Sequence, residues 1–294
     1  MGTVAGLGLA AAIIFGASDF LGGFATRSLS ALQVTLTAFV VGLIVALAFL
    51  PIIASPWTIP VLVYGAVAGV AAAVSIWLLY ACLAMGPVSV LAPMVALIAA
   101  LVPVAYGLSH HEHLGIPSDV ALGAVLVSAA LVGYTPAGQG VRVQPRALLL
   151  GVAAGLATGG YLVALDYTPP SSGAAPVVVV YAVGTLLLAL ALGAARRWRS
   201  PAGRPGGTAA GQQAWHWPTP FGFAVISGAT QAVADILVVV GIHRGDLAVM
   251  AALMALYPLG TTALARIIIR ERPTSLQLAG IFLAVAASAA LSAT

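Results

Sequence analysis

The chain has no lysine, a single cysteine, and seven acidic residues against eleven arginines in 294 positions. Charged residues make up only 6% of it. A soluble domain carries about 25%, so this composition does not supply a water-facing surface. Cys82 lies within an apolar run and reads as a buried, inert thiol. The chain has no GxSxG, HExxH or paired-aspartate motif, which argues against the alternative of a membrane-embedded enzyme acting on lipid. It has no Walker-type loop, so nothing supports ATP hydrolysis. The net charge of +4 comes from arginines that stand in connectors between apolar runs. Membrane topology explains them better than a nucleic-acid partner does.

What the chain does have is apolar sequence: 62% hydrophobic residues and a mean hydropathy of +1.11. Ten runs are separable, at 4–26, 31–53, 59–84, 87–108, 117–135, 147–166, 174–195, 220–242, 247–269 and 275–293. Each is close to the ~20 residues that cross a ~30 Å hydrocarbon core. Lipid offers no hydrogen-bond partner, so each span must bond its own backbone as a helix. The expectation is an all-α polytopic membrane protein with ten transmembrane helices. No arginine precedes Arg27, so the first run reads as a retained span rather than a signal peptide. The longest connector, at about 196–218, is rich in Arg, Gly and Pro. It reads as a flexible loop that returns to the interface through Trp215 and Trp217.

Arginine placement predicts orientation. Connectors after odd-numbered spans carry Arg27, Arg142, Arg146, Arg196, Arg197, Arg199, Arg204, Arg270 and Arg272, with Arg266 one turn inside the membrane. Connectors after even-numbered spans carry only Arg244. The positive-inside bias puts the first set in the cytoplasm and both termini outside a plasma (inner) membrane.

The second half repeats the first. Gly86 to Glu112 and Gly245 to Glu271 are the same distance apart in sequence. Gly8, Ala12 and Gly16 stand 143 positions before Gly151, Gly155 and Gly159, while Gly69 stands 159 before Gly228, the offset that also separates the two glutamates. Small residues four apart share a helix face and let backbones approach, so these glycines are candidates for helix packing. A repeat with an odd number of spans puts its two copies upside down relative to each other. Residues 1–140 and 146–294 thus read as two inverted five-helix repeats.

The first span carries Phe15-Gly16, and the second half runs from Tyr257-Pro258 through Glu271 to Gln277 and Gly280. Glu112 and Gly123 look like the first-copy equivalents. On these residues the chain resembles the EamA family of the drug/metabolite transporter superfamily over essentially its whole length. The resemblance implies a ten-helix carrier of small metabolites, often an exporter of amino acids or related compounds. Two departures weaken any carry-over of substrate class. Ala99 replaces the proline expected opposite Pro258, and span 2 lacks an arginine that many relatives carry there.

An ionisable group inside a span is costly and needs a reason. Asp19 and Asp235 are the two carboxylates well inside predicted spans, each roughly 10 Å from a helix end at 1.5 Å per residue. Phe15, Gly16, Gly22 and Gly23 share the face of Asp19; Gln231 and Gly228 share that of Asp235. Both acids are candidates to bind a proton and a cationic group of a substrate. A second candidate face holds Met250, Met254, Tyr257 and Thr261, with Pro258 expected to kink the helix and free the carbonyl of Met254. Pro93 and Pro103 are expected to kink span 4, and Trp77 and Tyr80 are further cavity candidates.

The His110-His111-Glu112-His113 cluster has the wrong spacing for ligands on one helix face, and no metal or other cofactor is expected. Glu112 and Glu271 read as helix–loop boundary residues, and Asp166 and Asp246 as caps. The expected partners are a small-molecule metabolite, protons and the lipid bilayer. Two buried acids with no basic residue at the midplane favour a ligand with an amine or with no charge. The leading expectation is a secondary carrier; a nonselective pore is a further alternative.

Overall fold

The computed structural model describes residues 2–53, 55–85, 88–109, 144–198, 220–245, 247–257 and 275–293, together with 120, 123–124, 126–128, 131 and 260. The apolar runs form helices α1 (Gly2–Ala25), α2 (Ala31–Phe49), α3 (Ile59–Leu83), α4 (Val88–Ser109), α5 (Pro145–Asp166), α6 (Ala175–Trp198), α7 (Pro220–Ile242), α8 (Leu247–Met254) and α9 (Ser275–Ala293). Local chemistry sets several starts. Ser30 and Gln33 close a reciprocal capping box ahead of α2: the Gln33 N–H donates to Ser30 Oγ, and the Ser30 N–H donates to Gln33 Oε1 at 3.1 Å. Prolines stand in the first turns of α3 and α5, where a missing N–H costs nothing.

Among the described residues six helices are long and apolar enough to cross a membrane: α1, α2, α3, α5, α6 and α7. Within α4 a shorter apolar stretch, Met94–Gly107, qualifies by composition. Exposed Ile44, Leu149, Leu186 and Leu190 stud the outer surface, which suits lipid rather than water. The chain is thus an all-helical polytopic membrane protein.

The sequence reading differs from the structure in two spans. Span 9, expected at 247–269, is not one uninterrupted helix: α8 stops at Met254 and turns cover residues 255–257. The cause is local. Residue 258 is proline and offers no N–H to the Met254 carbonyl, which instead accepts from the Tyr257 N–H at 3.0 Å, a tighter i→i+3 bond. The connector expected from 196 begins later, because α6 continues through Arg196 and Arg197. Their charges stand where a helix C-terminus favours cations. Most of span 5, Pro258, Thr261, Asp246, the His110–His113 cluster and Glu271 lie outside the described residues.

Helices pair across the two halves of the chain. α1 runs antiparallel to α7, with Phe24 on Phe223 (ring centroids 5.0 Å apart) and Ser18 on Ser227. α3 runs antiparallel to α5, with Cys82 Sγ 3.1 Å from the Ala147 carbonyl and Tyr64 stacked on Tyr167. α4 lies parallel to α5. A Cβ at Gly151, Gly155 or Gly159 would fall 2.4, 2.7 or 2.5 Å from Met94, Ile98 or Val102 respectively. Gly8 of α1 stands the same way against Leu253 of α8, and the backbone of Gly16 lies beside Gly260. Lipid tails are as apolar as the side chains here, so association rests on such close van der Waals contact.

Candidate functional site

All the helices from α1 to α8 meet around one internal cavity of about 60 Å³. Its walls are mainly apolar: Ala72, Ile76 and Leu79 of α3, Val95 and Ala99 of α4, Val180 of α6, and Phe15 and Phe39. Against them stand the carboxylates of Asp19 and Asp235, Gln231, the phenols Tyr161, Tyr181 and Tyr257, and the hydroxyls Ser75 and Thr158.

The two acids are held differently. Asp235 is 5% exposed and has a phenol on each carboxylate oxygen. Tyr161 Oη donates to Oδ1 at 2.7 Å, and Tyr181 Oη donates to Oδ2 at 2.5 Å. Asp19 is equally buried, but its Oδ1 has no hydrogen-bond partner among the described residues. A buried polar atom without a partner costs about 1–3 kcal/mol, more when charged, so this oxygen calls for a ligand, a proton or water.

Two polar seams border the cavity. Between α1 and α7, Ser18 Oγ lies 2.8 Å from both the Ser227 carbonyl and Gln231 Oε1, and its one proton serves either. Ser227 Oγ in turn donates to the Ser18 carbonyl at 2.9 Å and meets Tyr80 Oη at 3.0 Å. Gly22 makes room for that phenol: a Cβ there would sit 2.1 Å from Tyr80 Oη. Between α3 and α5, Ser75 and Thr158 share a short hydroxyl–hydroxyl bond, and Ser75 Oγ also donates to the Ala154 carbonyl at 3.1 Å. Outside the spans, Thr168 Oγ1 lies 2.9 Å from His243 Nε2. Burial lowers the pKa of that imidazole below its ordinary value, and a hydrogen bond to the Thr168 backbone opposes the shift.

The structure gathers Asp19, Asp235, Gln231, Met254 and Tyr257 at the cavity. Tyr257 is fixed there by donating to the Ala92 carbonyl of α4 at 2.7 Å. Other candidates lie elsewhere. Met250, one helical turn before Met254 on α8, is fully buried against Gly8 and Gly241. Trp77 is 42% exposed on the outer side of α3, where the adjacent Ile76 takes the inward position. Tyr80 is buried in the α1–α7 seam rather than in the cavity wall. α4 continues as one helix across Pro93 and Pro103. Sequence reasoning misses Tyr161, Tyr181, Ser75 and Thr158. Their one signal is a polar group in mid-span, a criterion that singles out acids and passes over phenols and hydroxyls.

A family model described as the EamA-like transporter family matches residues 145–293, half of the chain. A solved crystal structure of a protein superposes with a TM-score of 0.67 at 19% identity, covering 98% of this chain and 95% of that one. At that identity the likeness is one of fold. No curated protein matches the sequence.

Proposed function

We propose that this chain, which belongs to the EamA-like transporter family and is an integral multi-pass membrane protein, carries small metabolites across the bilayer by alternating access. The family is one of transporters rather than enzymes. The carrying observation is the cavity itself. It is enclosed by helices of both halves and holds two carboxylates that the surrounding apolar walls would otherwise exclude.

The reading includes ten spans arranged as two inverted five-helix repeats. Exchange of the halves, α1 with α5, α2 with α6, α3 with α7 and α4 with α8, maps helix pairs onto helix pairs. The α1–α7 pairing becomes α5–α3, and α2–α7 becomes α6–α3; all four are among the most extensive interfaces. Gly228 packs on the Ala38 carbonyl of α2 as its equivalent Gly69 packs on the Val180 carbonyl of α6. α5 is antiparallel to α3, which follows α1 after two short reversals, so α1 and α5 point in opposite directions. Rocking of one half against the other about this shared cavity is the motion such a plan provides.

Within this reading the protein sits in the plasma membrane with both termini outside, and one chain holds a complete pathway. It exports small metabolites related to amino acids, and a proton carried on a cavity carboxylate couples the flux. A carboxyl group in apolar surroundings can take up and release a proton as its access to water changes.

The test is reconstitution into liposomes with a metabolite panel and an internal pH dye. The expected result is saturable flux of at least one compound, accompanied by proton movement and reduced at least tenfold by Asp19→Asn. Flux that grows linearly with concentration, at rates far above carrier turnover, would mark a pore and contradict the reading.

A further inference from the structure

The two carboxylates at the cavity are not equivalent, and neither is repeated. At the first-span offset of 143, Asp19 corresponds to Leu162; at the offset of 159, Asp235 corresponds to Ile76. Both acids come from the antiparallel α1–α7 pair, while α3 and α4 present Ala72, Ile76, Leu79, Val95 and Ala99, with Ser75 the one hydroxyl among them. The cavity has an acidic side and an apolar side. No Arg, Lys or His is among its described lining residues.

We infer that the cavity takes small organic amines that lack a free carboxylate, that the Asp19 carboxylate receives the ammonium head, and that Asp235 is a positioning residue. The inference rests on the carrier reading above and names the substrate class for that site. Asp235 already has a phenol on each oxygen, so its acceptor capacity is turned toward Tyr161 and Tyr181. Asp19 lines the same cavity, and its Oδ1 lacks any such donor among the described residues. An ammonium group brings three donors and a compensating charge. A carboxylate head would meet two acids and no cation. A neutral head would leave Asp19 without its counter-charge.

The apolar body of the ligand lies against the α3–α4 wall. At about 10–15 Å³ of such volume per water-sized group, the cavity as it stands admits roughly five heavy atoms. That is the size of a branched four-carbon amine.

The experiment uses the full chain in detergent micelles and equilibrium dialysis of labelled isobutylamine, with isobutanol, isobutyrate and alanine as competitors. These have five or six heavy atoms and differ in the head. Isobutylamine is expected to bind at least tenfold more tightly than the alcohol, the anion or the zwitterion. Asp19→Asn is expected to lose at least tenfold of the amine affinity and to leave isobutanol competition unchanged. Asp19→Glu is expected to keep the preference for amine, and Tyr161→Phe to weaken amine binding less than threefold.

Equal binding of isobutyrate, amine binding no tighter than that of isobutanol, or full amine affinity in a folded Asp19→Asn protein would overturn the assignment. If Asp19→Asn does not fold, the competitor series on the unmodified protein decides alone. Saturable flux of an anionic metabolite would defeat the amine assignment and leave the carrier reading standing. Tight amine binding in a protein that moves nothing across liposomes would do the reverse.

Discussion

Asp19 and Asp235 both line the cavity, and their surroundings differ. Tyr161 and Tyr181 hold Asp235 from α5 and α6, so one carboxylate ties three helices together. Hydrogen bonds between membrane helices contribute about 0.6 to 2 kcal/mol. Tyr181→Phe is accordingly expected to lower stability by about 1 kcal/mol in detergent unfolding. In an Asp235→Ala background the same change should cost nothing, because the phenol has lost its acceptor. A neutral Tyr181→Phe in the unmodified protein would show that the bond does not contribute. The acids are legible in the sequence because a charge inside an apolar run is conspicuous. The tyrosines are not, since a phenol in a span reads equally well as packing, and its partner is set by how α5 and α6 meet α7.

At the scale of elements, small residues decide how closely helices approach. Gly155 faces Ile98 and the Val95 carbonyl of α4, whereas a Cβ added at Gly160, on the same helix, would meet nothing within 4 Å. Gly155→Ala should therefore force α5 away from α4 and cost about 1–3 kcal/mol by overpacking. Gly160→Ala should be neutral or stabilise by up to about 1 kcal/mol, the helix propensity gained. Thermal unfolding of the two variants in detergent distinguishes them, and equal effects would contradict the packing account. Span edges are readable to a few residues from the apolar runs and their Pro and Ser punctuation. The break after Met254 is only half readable. Pro258 announces a freed carbonyl, but its recapture by the Tyr257 N–H, which turns the chain after Met254, depends on the local bonding that results.

The whole molecule places an acid-bearing cavity where helices from its two halves cross, and exchange of those halves preserves the main interfaces. The proposed duplication rests, in the sequence, on fixed offsets between glycines. Which faces enclose a cavity is not, because sequence offsets do not say that α1 pairs with α7 of the other half. The central claim is that this cavity opens to one side at a time. Counterflow in liposomes tests it most directly: vesicles preloaded with unlabelled substrate are given labelled substrate outside. The account predicts transient accumulation of label above equilibrium, absent in the Asp19→Asn, Asp235→Asn double variant. Label that merely equilibrates at the same rate whether or not the vesicles are preloaded would contradict it.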